Sequence, residues 1–243
     1  LAVTVLALCL SSVLPVFAQT SPADDPVSLP WTPSLHARSA LQFLADEGGL
    51  GLSTSHWPLP ASAVREALQA MPTDHSSALQ AARSMVLGEL QEAQGAALGL
   101  RLRNRSEALS GFGEEGSPGS QVDVRSPVFA GSHAAAQLGL RADQIPQQAL
   151  SAFQDASRVR LHHAAAATRL WGWNLQASAS PRWWGVGWQS SLVLSHNAPN
   201  MMALSVQRAS AKAPQHPWLA WVGPWSFEAF LGRMEYHSSP ANP

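Results

Sequence analysis

The spacing of the apolar residues changes once along this chain, near Gly95, and that change limits the folds open to it. Over residues 34–95 the apolar residues recur every three to four positions, which predicts amphipathic helices. Beyond them, residues such as Leu98 and Leu100 alternate with polar ones, which predicts strands with one apolar and one polar face. The sequence therefore predicts an α+β chain, with a helical bundle over 34–95 and antiparallel strands over 96–243.

Capping and breaking residues divide the predicted bundle into three helices. The residues placed to start or stop these helices are Ser34, Gly48, Ser62, Pro72, and Thr73 or Asp74. Between the first two helices, Trp57 precedes Pro58 in a short proline-rich loop. We expect Trp57 to fill the core of the bundle while the prolines fix the loop. The alternative is a docking point for a periplasmic partner.

The N-terminal end has the composition of a signal peptide. Residues 1–18 carry no charge and end in Val16-Phe17-Ala18, which fits the small-residue rule of a cleavage site. The apolar run is shorter than the roughly 20 residues that a membrane-spanning helix needs. We therefore predict a signal peptide over 1–18 and a proline-rich linker over 19–33. Cys9, the only cysteine in the sequence, would be lost with the signal.

The charges exclude some classes of protein. Lys and Arg number 15 against 16 Asp and Glu, so no basic surplus favours binding of nucleic acid. The histidines lack the spacing of metal ligands, and His162 and His163 are adjacent, so a strand would send them to opposite faces. We expect neither a metal nor another cofactor. The sequence contains no HExxH motif, no G-x-S-x-G elbow and no glycine-rich phosphate loop.

The alternating segments fit either a soluble sandwich or an outer-membrane barrel. Eight of the ten tryptophans lie between 171 and 225, as an aromatic girdle at the membrane interface requires. Arginines recur on the polar faces of several strands, as in a water-filled lumen. Tyr236 is the only tyrosine, however, and bacterial barrels use tyrosine heavily. Alternation alone leaves both folds open.

One segment places several tryptophans, which have the largest side chain, beside glycines, which have no side chain. Residues 182–196 read RWWGVGWQSSLVLSH. In a strand, Arg182, Trp184 and Trp188 would share a face and Trp183 would lie opposite. The glycines between them permit a bulge or a close approach of neighbouring backbone.

Several motifs together resemble the capsule assembly Wzi family of Gram-negative outer-membrane proteins. They are LQFLADEGGL, STSHWPLP, RWWGVGWQSSLVLSHNA, LSVQRAS and GPWSFEAFLGRME, in the family's order over residues 31 to 236. The resemblance implies an outer-membrane β-barrel with a helical bundle at its periplasmic end. It also implies a non-catalytic, lectin-like role in holding capsular or extracellular polysaccharide. The implied partners are that polysaccharide, outer-membrane lipid and the periplasmic export machinery.

Two departures from the family pattern stand out. Val186 occupies the place after Arg-Trp-Trp-Gly where the family usually has proline, which would loosen the local turn. The chain also reaches Pro243 before the family's remaining strands, so we expect it to be the N-terminal half of a longer barrel. Its strands alone would leave open edges, which lipid does not tolerate.

The residues most suited to contact a polysaccharide are aromatic rings and polar groups near the Trp-rich run. Indoles stack on the apolar faces of sugar rings, and arginines bind acidic groups. The candidate polysaccharide-binding residues are Arg182, Trp183, Trp184, Trp188, Asn197 and Arg208. An architectural role in a strand corner or at the lipid headgroups is the alternative for each ring.

Two other functions remain open from the sequence. An exported glycan hydrolase would need a pair of carboxylates about 5 to 9 Å apart, and Asp155, Glu228 and Glu235 are the candidates. A porin-like channel would need an open lumen. Neither has a supporting motif.

Overall fold

The structure is a computed structural model, and it describes residues 27–72, 76–103, 111–113, 119–144, 157–194, 196, 200–210, 221, 223 and 225–233. The helices in these residues are α1 (Leu35–Glu47), α2 (Ala61–Ala70) and α3 (Ser77–Glu92). Three short strands lie among them: β1 (Pro30–Trp31), β2 (His56–Trp57) and β3 (Leu59–Pro60). We call residues 27–95 the helical unit.

The ends of α1 follow from its capping residues. The Ser34 hydroxyl accepts a hydrogen bond from the Ala37 amide at 3.2 Å, as an N-cap serine does. At the other end the Gly48 amide donates to the Leu44 carbonyl at 3.0 Å. Both caps were predicted from the sequence.

The other two helices begin one to four residues away from the predicted caps. α2 starts at Ala61, one residue before Ser62, because Pro60 already holds the extended conformation of an N-cap. α3 is capped by Ser76, whose hydroxyl accepts from the Leu79 amide at 3.4 Å. Thr73 and Asp74, the predicted caps, lie outside the described residues.

The helical unit has a conventional apolar core. Trp57, Leu41 and Leu44 have no exposed surface, so Trp57 fills the core as predicted. Its ring meets Trp31 edge to face with centroids 6.4 Å apart. Val27, Leu29 and Trp31 are each less than 10% exposed, so the predicted linker is packed from residue 27 onward. The apolar side chains there are buried against the helices and strands instead of lying free.

The rest of the described chain is mostly antiparallel strands. They are β4 (Ala97–Arg103), β5 (Gly119–Arg125), β6 (Phe129–Ala130), β7 (Ala134–Gln137), β8 (Gly139–Gln144), β9 (Ser157–Leu161), β10 (Ala164–Leu170), β11 (Trp173–Ala179), β12 (Trp183–Trp184), β13 (Met202–Arg208) and β14 (Glu228–Arg233). All of them except β12 form what we call the strand wall. Its two sheets run β4-β5-β8-β9 and β14-β13-β11-β10-β7-β6.

The two sheets of the strand wall share three chain segments with short breaks. β5 leads into β6, β7 into β8 across Leu138, and β9 into β10 across His162 and His163. The His162 amide donates to the Gly139 carbonyl at 3.0 Å, and a side chain at Gly139 would collide with the His162 backbone. Leu138 lies in the break that this close crossing produces.

Burial in the strand wall is the reverse of that in the helical unit. Apolar residues on its outer face are mostly exposed: Leu98 (78%), Leu100 (70%), Val159 (71%), Leu204 (65%) and Leu231 (80%). The buried residues of the opposite face are polar side chains and alanines. The polar ones are Gln121, Arg141, Asp143, Asn174, Gln176, Ser178, Ser205 and Gln207, and the alanines include Ala135, Ala165, Ala167 and Ala203. Alternation was therefore predicted correctly, and no described element covers the outer rows as the second sheet of a sandwich would.

The strand wall is open along both edges in the described residues. β4 pairs with β5 alone and β14 with β13 alone. The predicted antiparallel pairing is confirmed, while the described strands do not close into a ring.

Of the helices that the structure describes, none combines the length and the apolar character needed to cross a bilayer.

Polar contacts fasten the C-terminal end of α3 to the strand wall. Gln137 donates its amide to the Ala93 carbonyl at 3.0 Å, and Arg125 donates to the Glu92 carbonyl at 3.2 Å. The Val128 amide donates to the Gln94 carbonyl at 2.8 Å. The last carbonyls of a helix lack partners within the helix, so these donors supply what α3 itself cannot.

Candidate functional site

The Trp-rich segment, residues 182–194, folds onto the helical unit. β12 pairs with β2 so that Trp183 lies opposite Trp57 and Trp184 opposite His56. The Gly185 amide adds a hydrogen bond to the Ser55 carbonyl at 2.8 Å. The segment is thus a connection between β11 and β13 that leaves the strand wall and joins the helices.

Glycines allow this segment to double back on itself. The Leu192 amide donates to the Trp184 carbonyl at 2.8 Å, and a Cβ on Gly185 would lie 2.8 Å from the Leu192 nitrogen. A Cβ on Gly187 would collide with the Ser190 carbonyl. The glycines are therefore required by close backbone approach, as the sequence predicted. Leu192 and Leu194 lie in this irregular return, where hydrogen bonds to Trp184 satisfy their backbone locally.

The adjacent tryptophans of β12 have different environments. Trp183 is completely buried, with its ring 5.6 Å from Phe112 and its Nε1 donating to the Gly187 carbonyl at 3.1 Å. It belongs to the core of the helical unit and offers no surface to a ligand. Trp184 is partly exposed and lies on the other side, with its ring 5.2 Å from Phe230 of β14.

Arg182 and Trp184 share a face, as parity predicted, while Trp188 does not join them. The Arg182 guanidinium lies 4.7 Å from the centroid of the same Phe230 ring. Its Nη2 is 3.5 Å from Oε1 of Glu228, and both side chains are at most 3% exposed. The Arg182 nitrogens, the Glu228 oxygens and Trp184 Nε1 have no hydrogen-bond partner among the described residues. These groups and Phe230 form a buried polar cluster behind the segment.

Trp188 lies against Arg38 of α1, because the strand ends at Trp184 and parity no longer applies. The Arg38 guanidinium is 4.4 Å from the Trp188 centroid and 4.2 Å from the Phe112 centroid. Its Nη2 donates to the carbonyls of Val186 at 3.3 Å and Gly187 at 3.0 Å. Arg38 is only 2% exposed, and burial lowers its pKa. It fixes the Trp-rich segment on the helix by two hydrogen bonds and the contact with the Trp188 ring.

A groove of about 470 Å³ opens beside Trp188. Trp188 and Gln189 form one side, and α1 supplies the other with His36 and Ser39. An indole face beside amide, hydroxyl and imidazole groups matches the two needs of a sugar ring, apolar contact and hydrogen bonds. Among the predicted tryptophans, Trp188 is the one that lines this groove.

His196 packs against Phe112, which lines this groove, and against Trp183. Its Nδ1 accepts a hydrogen bond from the Gly113 amide at 3.0 Å, and its ring lies 5.0 Å from Phe112. Burial lowers the pKa of His196 to about 4, and the positive charge of Arg38 adds to this effect. The imidazole is therefore neutral at pH 7, with the proton on Nε2.

The remaining candidates lie apart from the groove or outside the described residues. Arg208 lies over Trp225 at 4.1 Å and donates to its carbonyl at 2.8 Å. Asn197 lies outside the described residues, as do Asp155 and Glu235 of the carboxylate hypothesis. Glu228, the third carboxylate, pairs with Arg182.

The adjacent histidines differ from the prediction. His162 and His163 do not point to opposite faces, since their rings meet edge to face with centroids 4.3 Å apart. They occupy the bend between β9 and β10, where His163 has a φ of 56°, so strand parity does not hold. Within the described part of the chain no group of three or more His, Cys, Asp or Glu side chains could hold a metal.

Arg38 and His196 contact the Trp-rich segment or its neighbours but were not predicted as site residues from the sequence. Arg38 did leave a signal, because it falls three residues before Leu41 on the apolar face of a predicted helix. A charge on that face needs buried partners. Nothing in the local sequence marks His196.

Comparison with known proteins places the chain in a family. The model of the family described as capsule assembly protein Wzi matches residues 92–243, more than half of the chain. An uncharacterized 55.8 kDa protein in the cps region of Klebsiella pneumoniae is 27% identical over 203 residues, which cover 83% of this chain and 39% of that protein.

A solved structure shares the fold. It is described as Wzi, an outer membrane protein involved in group 1 capsule assembly in Escherichia coli and a carbohydrate-binding β-barrel. The TM-score is 0.72 at 24% identity, over 86% of this chain and 45% of that one. The chain thus spans less than half the length of both proteins. With the family match over its strand wall, the chain belongs to the capsule assembly protein Wzi family.

Proposed function

We propose that the protein is an outer-membrane β-barrel that holds capsular or extracellular polysaccharide at the cell surface without catalysing a reaction. A signal peptide over 1–18 would export it. The helical bundle of 34–95 would lie at the periplasmic end, and 96–243 would form part of the barrel. The full barrel would contact lipid, and the helices are candidates to meet the export machinery.

The observation that carries this proposal is the reversed burial of the strand wall. Exposed leucines such as Leu100 and Leu204 suit hydrocarbon, while buried Arg141 and Gln207 suit a water-filled interior. A soluble protein would leave these apolar rows as an aggregation hazard. A bilayer around the outer face makes the same pattern favourable.

The lengths of the connections support the orientation. Tight turns join β6 to β7 and β10 to β11, and the end of β13 and the start of β14, which flank a longer connection, lie at the same end. The helical unit lies near this end, where Ser62 donates to the Ala209 carbonyl at 3.4 Å. The strand ends that flank the connections 104–118, 145–156 and 180–201 lie at the other end, and from there residues 182–194 return to the helical unit. Barrels of the outer membrane usually have short periplasmic turns and longer extracellular loops.

The groove at Trp188 supports a role in binding polysaccharide. It belongs to one of the long connections, and its partly exposed indole lies beside polar side chains. Arg182 and Trp184 form a second face of the same segment, joined to Glu228. We assign the direct contact to Trp188, and a supporting role to Arg182, Trp183 and Trp184.

The experiment measures polysaccharide on cells of the source organism that lack the gene and are complemented with full-length variants. We expect Trp188→Ala to lower cell-associated polysaccharide several-fold and to release it into the medium. In purified protein, the same variant should bind the polysaccharide about tenfold more weakly, about 1.4 kcal/mol, as expected for loss of an aromatic contact. Trp171 lies in a turn and is 89% exposed. Trp171→Ala is therefore the matched control and should bind the polysaccharide as the unmodified protein does.

Two outcomes would contradict the proposal. Shortening of polysaccharide chains incubated with purified full-length protein would indicate the hydrolase. Ion conductance in planar bilayers, without retention of polysaccharide on cells, would indicate the channel.

A further inference from the structure

A second cavity lies between the helical unit and the strand wall, away from the Trp-rich segment. Its volume is about 470 Å³. Segment 27–32 and α2 form one side, β6 and the ends of β5 and β7 form another, and the C-terminal end of α3 lies between. Binding pockets for small molecules generally have volumes of about 300 to 1,000 Å³, so the space suits one or two sugar residues.

The shape of this cavity is fixed by both parts of the molecule. Gln137 and Arg125, which line it, donate to carbonyls at the end of α3. Val128 donates its amide to Gln94 at the same boundary. These hydrogen bonds and the apolar packing of Val27 and Leu29 near Val128 and Ala130 fix the walls of the cavity, which gives a preformed site.

The charges that line the cavity are balanced. Arg65 and Arg125 contribute two guanidinium groups, and Glu89 and Glu92 contribute two carboxylates. Glu89 already accepts from the Ser34 amide at 2.7 Å and from its hydroxyl. A balanced lining gives no strong preference for an anion or a cation.

Hydrogen-bonding groups remain available in the cavity. Glu92 and Gln94 are exposed and line the opening, so they are accessible to an incoming ligand. Donors and acceptors on several sides, with Trp31 and Val128 adding apolar surface, suit a neutral ligand with many hydroxyl groups.

We propose that the cavity bounded by Arg65, Glu92, Gln94, Arg125 and Gln137 is a second carbohydrate subsite, which binds one or two neutral sugar residues. This subsite presupposes the role in binding polysaccharide proposed above. It lies at the boundary between the helices and the wall, near the end with the tight turns. It would therefore bind saccharide on the periplasmic side, separately from the groove at Trp188.

The test uses protection of an introduced thiol. Cys9, the only cysteine in the sequence, is first replaced by serine if it persists in the purified protein. Gln94→Cys then places a thiol at the opening of the cavity, and Gln91→Cys places one at an exposed position of α3 that does not line it. The full-length protein is purified in an amine-oxide detergent, because sugar-headed detergents would compete for the site.

Disaccharide and tetrasaccharide fragments of the organism's own surface polysaccharide serve as the probe. At saturating fragment we expect modification of the Gln94→Cys thiol by a methanethiosulfonate reagent to slow at least fivefold. The Gln91→Cys thiol should react at an unchanged rate. Arg65→Gln should raise the fragment concentration needed for half-maximal protection by at least threefold.

Equilibrium dialysis on the same samples separates the outcomes. Fragments that bind to the protein without slowing Gln94→Cys modification would overturn this subsite and leave the proposed function intact. Equal protection at both thiols would also overturn it, since the effect would then not be local. Absence of binding of both the fragments and the intact polysaccharide would overturn the proposed function together with the subsite.

Discussion

The helical unit and the strand wall bury opposite kinds of side chain. In the helical unit Leu41 and Leu44 have no exposed surface, while in the strand wall Leu100 and Leu204 are 70% and 65% exposed. Conversely, Arg141 and Gln207 of the strand wall are each 2% exposed. One chain therefore contains a core made of apolar residues and another made of hydrogen bonds and ion pairs.

The difference shows that the surroundings decide which face of an element is interior. Water outside the helical unit favours an apolar centre. For the strand wall, hydrocarbon outside would remove the preference for an apolar interior. Polar side chains there lie where other polar side chains can pair with them. Arg141 pairs with Asp123, and Arg160 with Asp143 at 2.9 Å. If lipid surrounds the strand wall, the same hydrophobic effect acts on both regions, and the surrounding medium reverses which face is apolar.

Removal of one partner of a buried ion pair should have the largest effect and tests the polar interior. Glu228→Leu leaves Arg182 buried without its countercharge, since both side chains are at most 3% exposed. We expect a loss of about 3–5 kcal/mol in the free energy of unfolding. Urea unfolding of the full-length protein in lipid vesicles measures it. The double variant Arg182→Met with Glu228→Leu should recover most of that loss, and equal loss in both variants would contradict the pairing.

A charge on the outer face tests the other side of the strand wall. Leu204→Arg, in the middle of β13, should cost about 2–4 kcal/mol if hydrocarbon covers that face. Met85→Arg on α3 is the matched control, because Met85 is 51% exposed and a surface change in water costs within about 0.5 kcal/mol. The same unfolding assay compares them. Similar small effects at both positions would show that water surrounds both regions. That result would contradict the idea that the two regions face different solvents.

Acid should weaken the junction between the two regions. Burial lowers the pKa of His196 to about 4, and burial also lowers the pKa of His56. Between pH 6.5 and 4 the unfolded chain binds protons that the folded one does not, so stability falls as the pH falls through this window. For His196 alone we expect a loss of about 2 kcal/mol at pH 5 relative to pH 7.

Tryptophan fluorescence of the Trp-rich segment, followed during unfolding at each pH, measures this loss. His196→Gln keeps an acceptor for the Gly113 amide and removes the titrating group. The pH dependence should then become shallower. An unchanged slope would assign the acid sensitivity to other groups.

The smallest expected effect tests whether the helical unit behaves as an ordinary water-soluble structure. Ser34→Ala removes the N-cap of α1 and should cost about 1 kcal/mol. Amide hydrogen exchange in the first turn of α1 measures it locally. Ser84→Ala, at an exposed position within α3, is the control and should change exchange there little. An effect at Ser84 as large as at Ser34 would contradict the capping explanation.

Local pattern predicted the elements that local interactions form. The cap at Ser34, the core position of Trp57 and the two faces of the strands all depend on residues close in sequence. The shared face of Arg182 and Trp184 also follows from parity within one short strand. These features need no knowledge of distant contacts.

Features that depend on distant contacts could not be predicted. The return of the chain after Trp184 depends on β2, more than a hundred residues earlier. That return moved Trp188 to Arg38 and away from the predicted face. The break at Leu138 likewise depends on the approach of His162 to Gly139. In each case a strand ends or is interrupted where another part of the chain crosses it.

The pairing of β12 with β2 would give the protein a path for mechanical load. If the proposed function holds, a polysaccharide bound at Trp188 would experience drag from moving fluid, and the force would enter the protein through the Trp-rich segment. Arg38 and the β12–β2 pairing would transmit that force to helix α1 and the buried Trp57. The packed interior of the helical unit would then bear the tension, so the polysaccharide would be held as long as the helices stay folded.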